Sequence, residues 1–184
     1  MDLFTKVWKE AKDIIDSSPV PEDPIHARNT LKWLLRLYPK ADKRLRLASL
    51  VHDIERAIPE KKVKREDYRN YECFKKAHAK NSAIIIKEIM ERNGICKEAI
   101  KDVVFLVENH ETGGSFRADL LKEADSLSFF DVNLHFYAKR HSSDEVIDRC
   151  IWGYRRLSDK GKKLALDILR NKNLTWILKK LLKE

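Results

Sequence analysis

The chain has 184 residues, of which 43% are hydrophobic, enough for one domain with a substantial core. With 38 Lys and Arg against 29 Asp and Glu it carries a net charge of +9, a balance that suits a phosphate-bearing ligand or nucleic acid but also fits a solvated basic surface. No apolar run approaches the ~20 residues of a membrane span, and Asp2, Glu10, Asp13 and Asp16 interrupt the first stretch, so an amphipathic helix rather than a signal peptide is expected there, and the cytoplasm is the expected location.

Only 5 Gly and 5 Pro, with few alternating segments, argue for an all-α chain. Cys73, Cys96 and Cys150 form no CxxC pair and read as reduced, mostly buried thiols. The absence of Gln beside abundant Lys and Glu is the thermophile pattern.

A first helix is expected over 3–17, with Phe4, Val7, Trp8, Ala11, Ile14 and Ile15 as its stripe. Pro24 suits the start of a second, capped by Asp23 and running to Tyr38. Asp42 caps a third that ends in Leu47-Ala48-Ser49-Leu50-Val51-His52-Asp53-Ile54-Glu55-Arg56. A basic loop over 57–66 follows, closed by Asp67 as the cap of a long helix over 67–92 that stops at Asn93-Gly94. Further helices are expected over 97–109, 117–139, 143–157 (from Ser143) and 159–170 (from Ser158-Asp159), with a short one over 174–182. Between the first two of these, Gly113-Gly114 permits close backbone approach. The expected fold is a single all-α bundle of about eight helices over 1–184, with a core at 20–140 and the helices of 143–184 packed on it.

His52 and Asp53 sit inside an apolar run, where an imidazole and a carboxylate are costly unless something satisfies them. A metal ion does so directly. His26 lies in the first turn of the second helix. His78 continues the Phe74 line toward Ser82, His110 ends the Ile100–Val103–Val107 line, and Asp125 follows Leu121 by four. Six candidate ligands, His26, His52, Asp53, His78, His110 and Asp125, therefore fall on inward stripes of five successive helices, and a bundle can aim them at one point. Any one of these histidines alone reads as a hydrogen-bonded core residue; the set does not. His135 and His141 lie outside the pattern and read as structural or exposed.

The order His…His-Asp…His…His…Asp, with LASLVHDIER at its centre, resembles the HD-domain metal-dependent phosphohydrolases over roughly residues 20–140. His110-Glu111-Thr112-Gly113-Gly114 is similar to the His-Thr-x-Gly loop of the branch that cleaves dinucleoside polyphosphates. The chain from Pro24 to Ala165 also resembles a group of proteins known only as a domain of unknown function, through WLLRLYPKADKRLRLASLVHDIER, IPEKKVKREDYRNY, FKKAHA, FYAKRH and WGYRRLSDKGKKLAL.

The first resemblance implies one or two divalent ions and hydrolysis of a phosphate ester or anhydride by metal-activated hydroxide. Fe, Mn, Co, Ni or Zn suits the mixed ligands, and Mg is less favoured by four imidazoles. In the two-ion version Asp53 bridges, His26, His52 and Asp125 hold one ion, and His78 and His110 the other. In the one-ion version His26, His52, Asp53 and Asp125 bind it, while His78 and His110 face the substrate. Arg56, three residues after Asp53, is the expected phosphate clamp, because its planar fork matches phosphate oxygens. Glu111 is expected to orient water or a ligand histidine. Lys62 in the basic loop, Tyr71 as a stacking ring and Gly113 in the turn are the further candidates for substrate binding, although solvation and packing explain the basic loop and at least one of Tyr68 and Tyr71 as well. The expected substrate is a nucleotide or other small phosphorylated metabolite. Nucleic acid is the less favoured partner, and the oligomeric state is open. The rival reading is a non-catalytic module that binds metal, nucleotide or RNA.

Overall fold

Asp2 opens α1 (Leu3–Asp16) in the computed structural model, which describes residues 2–183: its carboxylate accepts the Phe4 N–H. Val7, Ala11 and Ile15, each four apart, are the buried face, and Phe4, Trp8 and Ile14 pack beside them. The next helix, α2 (Glu22–Leu37), begins before the expected cap. Asp23 lies inside its first turn, and its carboxylate is taken by Ser18 Oγ and by Arg56. Pro24 remains in that turn, where its missing N–H costs nothing.

Asp42 caps α3 (Lys43–Val51) by accepting the N–H groups of Arg44 and Leu45. The helix breaks at His52-Asp53: Asp53 (φ −109°, ψ 18°) leaves α geometry, and Ile54–Ala57 form a 3₁₀ turn. Asp67 caps nothing. It belongs to a separate 3₁₀ turn, Arg65–Asp67, followed by Tyr68, whose carbonyl accepts from Arg65 Nη1, and Asn70 caps α4 (Tyr71–Arg92) by accepting the Cys73 N–H. Gly94 (φ +74°) ends α4 as expected.

After α5 (Lys97–Glu108), Ser115 caps α6 (Phe116–Ser128). The single helix expected over 117–139 is instead interrupted by a π turn, Phe129–Asn133, before α7 (Leu134–Ala138). Ser142, one residue earlier than expected, forms a capping box with Glu145 at the head of α8 (Ser143–Arg155). Ser158 caps α9 (Asp159–Asn171), and α10 (Thr175–Leu181) closes the order.

The result is an all-helical bundle with no strand among the described residues. Its centre is α3, whose Leu45, Leu47, Ala48, Leu50 and Val51 are buried against α1, α2, α5 and α6. This packing fixes the end of α3, and so His52 and Asp53, in the middle of the protein. No helix among the described residues is long and apolar enough to cross a membrane. The thiols differ from expectation: Cys150 is buried and its pKa is pushed up to about 12 by burial, whereas Cys73 and Cys96 are exposed. Cys73 lies one position off the inward Phe74–His78 line and Cys96 is the cap residue of α5.

Candidate metal centre

Five elements aim side chains at one interior point. His26 comes from α2, His52 and Asp53 from the end of α3, His78 from α4, His110 from the residues just after α5, and Asp125 from α6. His52 Nε2 lies 3.2 Å from His26 Nε2 and 3.5 Å from Asp125 Oδ1, and His26 Nε2 lies 3.1 Å from Asp125 Oδ1. Asp53 sits between this trio and the other two rings. Its Oδ1 is 2.6 Å from His78 Nε2 and 3.6 Å from both His110 Nε2 and His52 Nε2, and its Oδ2 is 3.9 Å from His26 Nε2. Within each of the sets His26–His52–Asp125 and Asp53–His78–His110, one ligand atom per residue lies within 4.8 Å of the others. A third such set, His110–Glu111–Asp125, overlaps both.

The outer faces of the rings decide how the inner faces are used. His52 Nδ1 donates to the Ser49 carbonyl (3.0 Å) and His110 Nδ1 to the Val107 carbonyl (2.7 Å). His78 Nδ1 meets Glu55 Oε1 at 2.7 Å. His26 Nδ1 donates to Ser128 Oγ (2.9 Å), whose own proton goes to the His26 carbonyl (3.2 Å). With every Nδ1 proton committed outward, all four Nε2 atoms point inward. His110 Nε2 is buried and makes no hydrogen bond, although Glu111 Oε1 lies 3.2 Å away. Imidazole nitrogens gathered around carboxylates in this way suit a cation, which would take the place of the Nε2 protons.

Electrostatics favour the same point. Burial opposes charge on His52, but Asp53 and Asp125 outweigh it and raise its pKa to about 9. His78 is raised against the same burial, chiefly by Asp53. Burial also opposes charge on the two aspartates, yet His52 and His78 hold Asp53 well below the carboxylate range, and His26 and His52 do so for Asp125. His110 is lowered, with burial the largest cause.

Beside the centre lies a cavity of about 530 Å³ whose wall includes His78. Arg56, Lys62, Lys75 and Arg140 bring positive charge to it, and Tyr71, Phe74 and Tyr137 bring rings. Arg56 is anchored by Asp23 (Nε–Oδ1 3.0 Å) and reaches to 3.9 Å of Asp53 Oδ2. Burial opposes the Arg56 charge, but Asp53 and Asp23 raise its pKa further. Tyr71 packs edge-on against Trp152 (centroids 5.3 Å apart) and still lines the cavity. Glu111 is buried behind the centre, paired with Lys75 and with Arg156 Nη1 (3.0 Å); burial works to raise its pKa, and these cations hold it far below the usual range.

Gly113 does not line the cavity. Its φ of +76° makes the turn into α6, and the carboxylate of Asp119 sits where a Cβ would go. His135 and His141 lie away from the centre; His141 stacks on Tyr137, with centroids 3.9 Å apart.

Residues 8–178 match the family model described as a domain of unknown function, DUF4202. The chain belongs to the DUF4202 family. No curated protein and no solved structure matches it. In this DUF4202 chain the polar residues that hold the candidate ligands in place are less legible in the sequence than the six themselves. Glu55, Ser128, Lys75 and Arg156 were not singled out, although a signal existed for two of them. Ser128 follows Asp125 by three and Glu55 follows Asp53 by two, so each lies within three positions of a candidate ligand. Lys75 and Arg156 carried no such signal, because each reads as one more cation in a basic chain.

Proposed function

We propose that this DUF4202 protein is a metal-dependent phosphohydrolase acting on a nucleotide or another small phosphorylated metabolite, in the manner of the HD-domain enzymes its sequence resembles. One observation carries the reading: four imidazoles have their Nδ1 atoms engaged on the outside and their Nε2 atoms gathered around two carboxylates. His26, His52 and Asp125 would hold one divalent ion and His78 with His110 a second, with Asp53 against both groups. Fe, Mn, Co, Ni or Zn fits this donor set better than Mg. Such ions, when bound, polarise a phosphoryl group and make water acidic enough to supply the nucleophile.

The chain's own residues do the rest. Arg56 is preset by Asp23, which takes its Nε and Nη2, and its Nη1 end brings positive charge to the rim of the centre for phosphate oxygens. Lys75 holds Glu111 behind the centre and adds positive charge to the cavity, and Lys62 contributes more from the loop. Phe74 and Tyr71 offer ring surface for the non-phosphate part of a substrate. Elemental analysis of protein from metal-replete, anaerobic growth tests the reading, together with phosphate or nucleotide release from a nucleotide panel with Mn, Co or Ni. One or two ions per chain and hydrolysis of at least one member are expected. Protein that neither carries nor accepts a divalent ion refutes it.

A further inference from the structure

A second cavity, of about 590 Å³, opens between α2 and α9, away from the six ligands. Trp33 and Ile168 contribute its apolar lining, and Lys32, Arg36, Arg170 and Lys172 its charge. Two carboxylates also line it, and both are engaged: Asp167 by Arg170 (2.7 Å) and Asp131 by Lys172 (3.4 Å). Lys32 and Arg36, one helical turn apart, have no carboxylate partner among the described residues. Arg36 instead lies over the Trp33 ring, 4.8 Å from its centroid. A concave site with two uncompensated cations, one of them a guanidinium, has the chemistry to take a phosphate group.

A line of hydrogen bonds leads from this cavity to the metal centre. Asp131 Oδ2 accepts from Trp33 Nε1 and from Asn29 Nδ2, both at 3.1 Å. Asn29 Nδ2 also donates to Ser128 Oγ (3.2 Å), which in turn accepts from His26 Nδ1 (2.9 Å). An anion at Lys172 competes with Asp131 for the ammonium, and Asp131 is tied through Asn29 and Ser128 to His26.

We infer that the cleft between α2 and α9 is a second anion site, for a small phosphorylated molecule, and that its occupancy is felt at His26. The inference stands whether or not the protein is a hydrolase. Inorganic pyrophosphate is titrated into ¹⁵N-labelled protein while the Trp33 indole N–H and the His26 ring are followed by NMR, with the indole signal assigned through Trp33→Phe. Both signals are expected to move on one saturating curve. The paired substitution Lys32→Ala and Arg36→Ala should weaken that binding by roughly tenfold or more, given the loss of two charged phosphate contacts. Arg56→Ala, at the other cavity, should leave the curve in place. Both cleft residues are exposed, and unchanged Trp8, Trp152 and Trp176 indole signals verify the fold of the double variant. A Trp33 signal that does not move, or a double variant that binds as the parent does, overturns the site. A Trp33 signal that moves without His26 overturns the link.

Discussion

Glu55→Ala should damage the protein in two separable ways. Glu55 is 1% exposed and uses both oxygens: Oε1 faces His78 Nδ1 and Oε2 accepts the Val63 N–H, each at 2.7 Å. Truncation leaves two N–H donors without an acceptor, at about 1–3 kcal/mol apiece, so the expected destabilisation is about 2–6 kcal/mol. For a chain of this size that corresponds to a fall of roughly 10 °C in Tm. It also frees the His78 ring to rotate or change tautomer, which should weaken metal binding by about 10- to 100-fold. Glu55→Gln keeps one acceptor for two donors and should fall between the parent and the alanine variant in both respects. Thermal unfolding in chelator reads the first effect, and calorimetric titration with Mn or Co reads the second. An alanine variant that melts within about 2 °C of the parent and binds metal equally well would refute the argument that Glu55 sets the ring.

Asp53→Ala should lose both ions and all activity and melt lower, whereas His110→Ala should retain about one ion per chain by elemental analysis; a parent protein holding only one would reject the two-ion assignment. In chelator, stability should decline as pH rises from about 6.5 through 9, because the raised His52 pKa contributes stability that is full below the unfolded value and lost above the folded one. Asp53 and Asp125 contribute in the opposite sense, their share being present above about pH 4 and lost on acidification. Denaturant titration at several pH values checks this, and metal-free stability that climbs between pH 6.5 and 9 would contradict it. Gly113→Ala should cost about 1–3 kcal/mol through its positive φ, the exposed Asp119 carboxylate being free to swing aside, while leaving metal content unchanged, so loss of metal there would contradict a purely structural turn.

The fold was legible because apolar residues recur at helical spacing in segments with good caps, as at Asp42 and Ser158. It was misread where two caps competed or where local geometry departed from α. Asn70 prevailed over Asp67, and the π turn at Phe129–Asn133 leaves no mark in a pattern of apolar residues. The six candidate ligands were visible as polar residues on apolar stripes, and the structure brings them together. Their supports were not, because a hydrogen bond to the Ser49 or Val107 carbonyl comes from backbone and belongs to no residue type. Gly113 was assigned to substrate binding on its freedom of approach, yet that space is filled by Asp119.

The spread of the inward cluster along the chain bears on how the protein is made. His26 and Asp125 are 99 positions apart in the sequence, and no two neighbouring helices carry the whole set. Arg156, beyond α8, donates to the carbonyl of His110 and pairs with Glu111, so the centre is braced by a segment synthesised still later. A growing chain emerges N-terminus first and meets the loop-closure cost of its distant contacts before gaining from them. The cluster therefore assembles late in synthesis, after most of the chain has left the ribosome. A zinc finger can load its metal as a short peptide, but here the candidate ligands converge only once the bundle has formed.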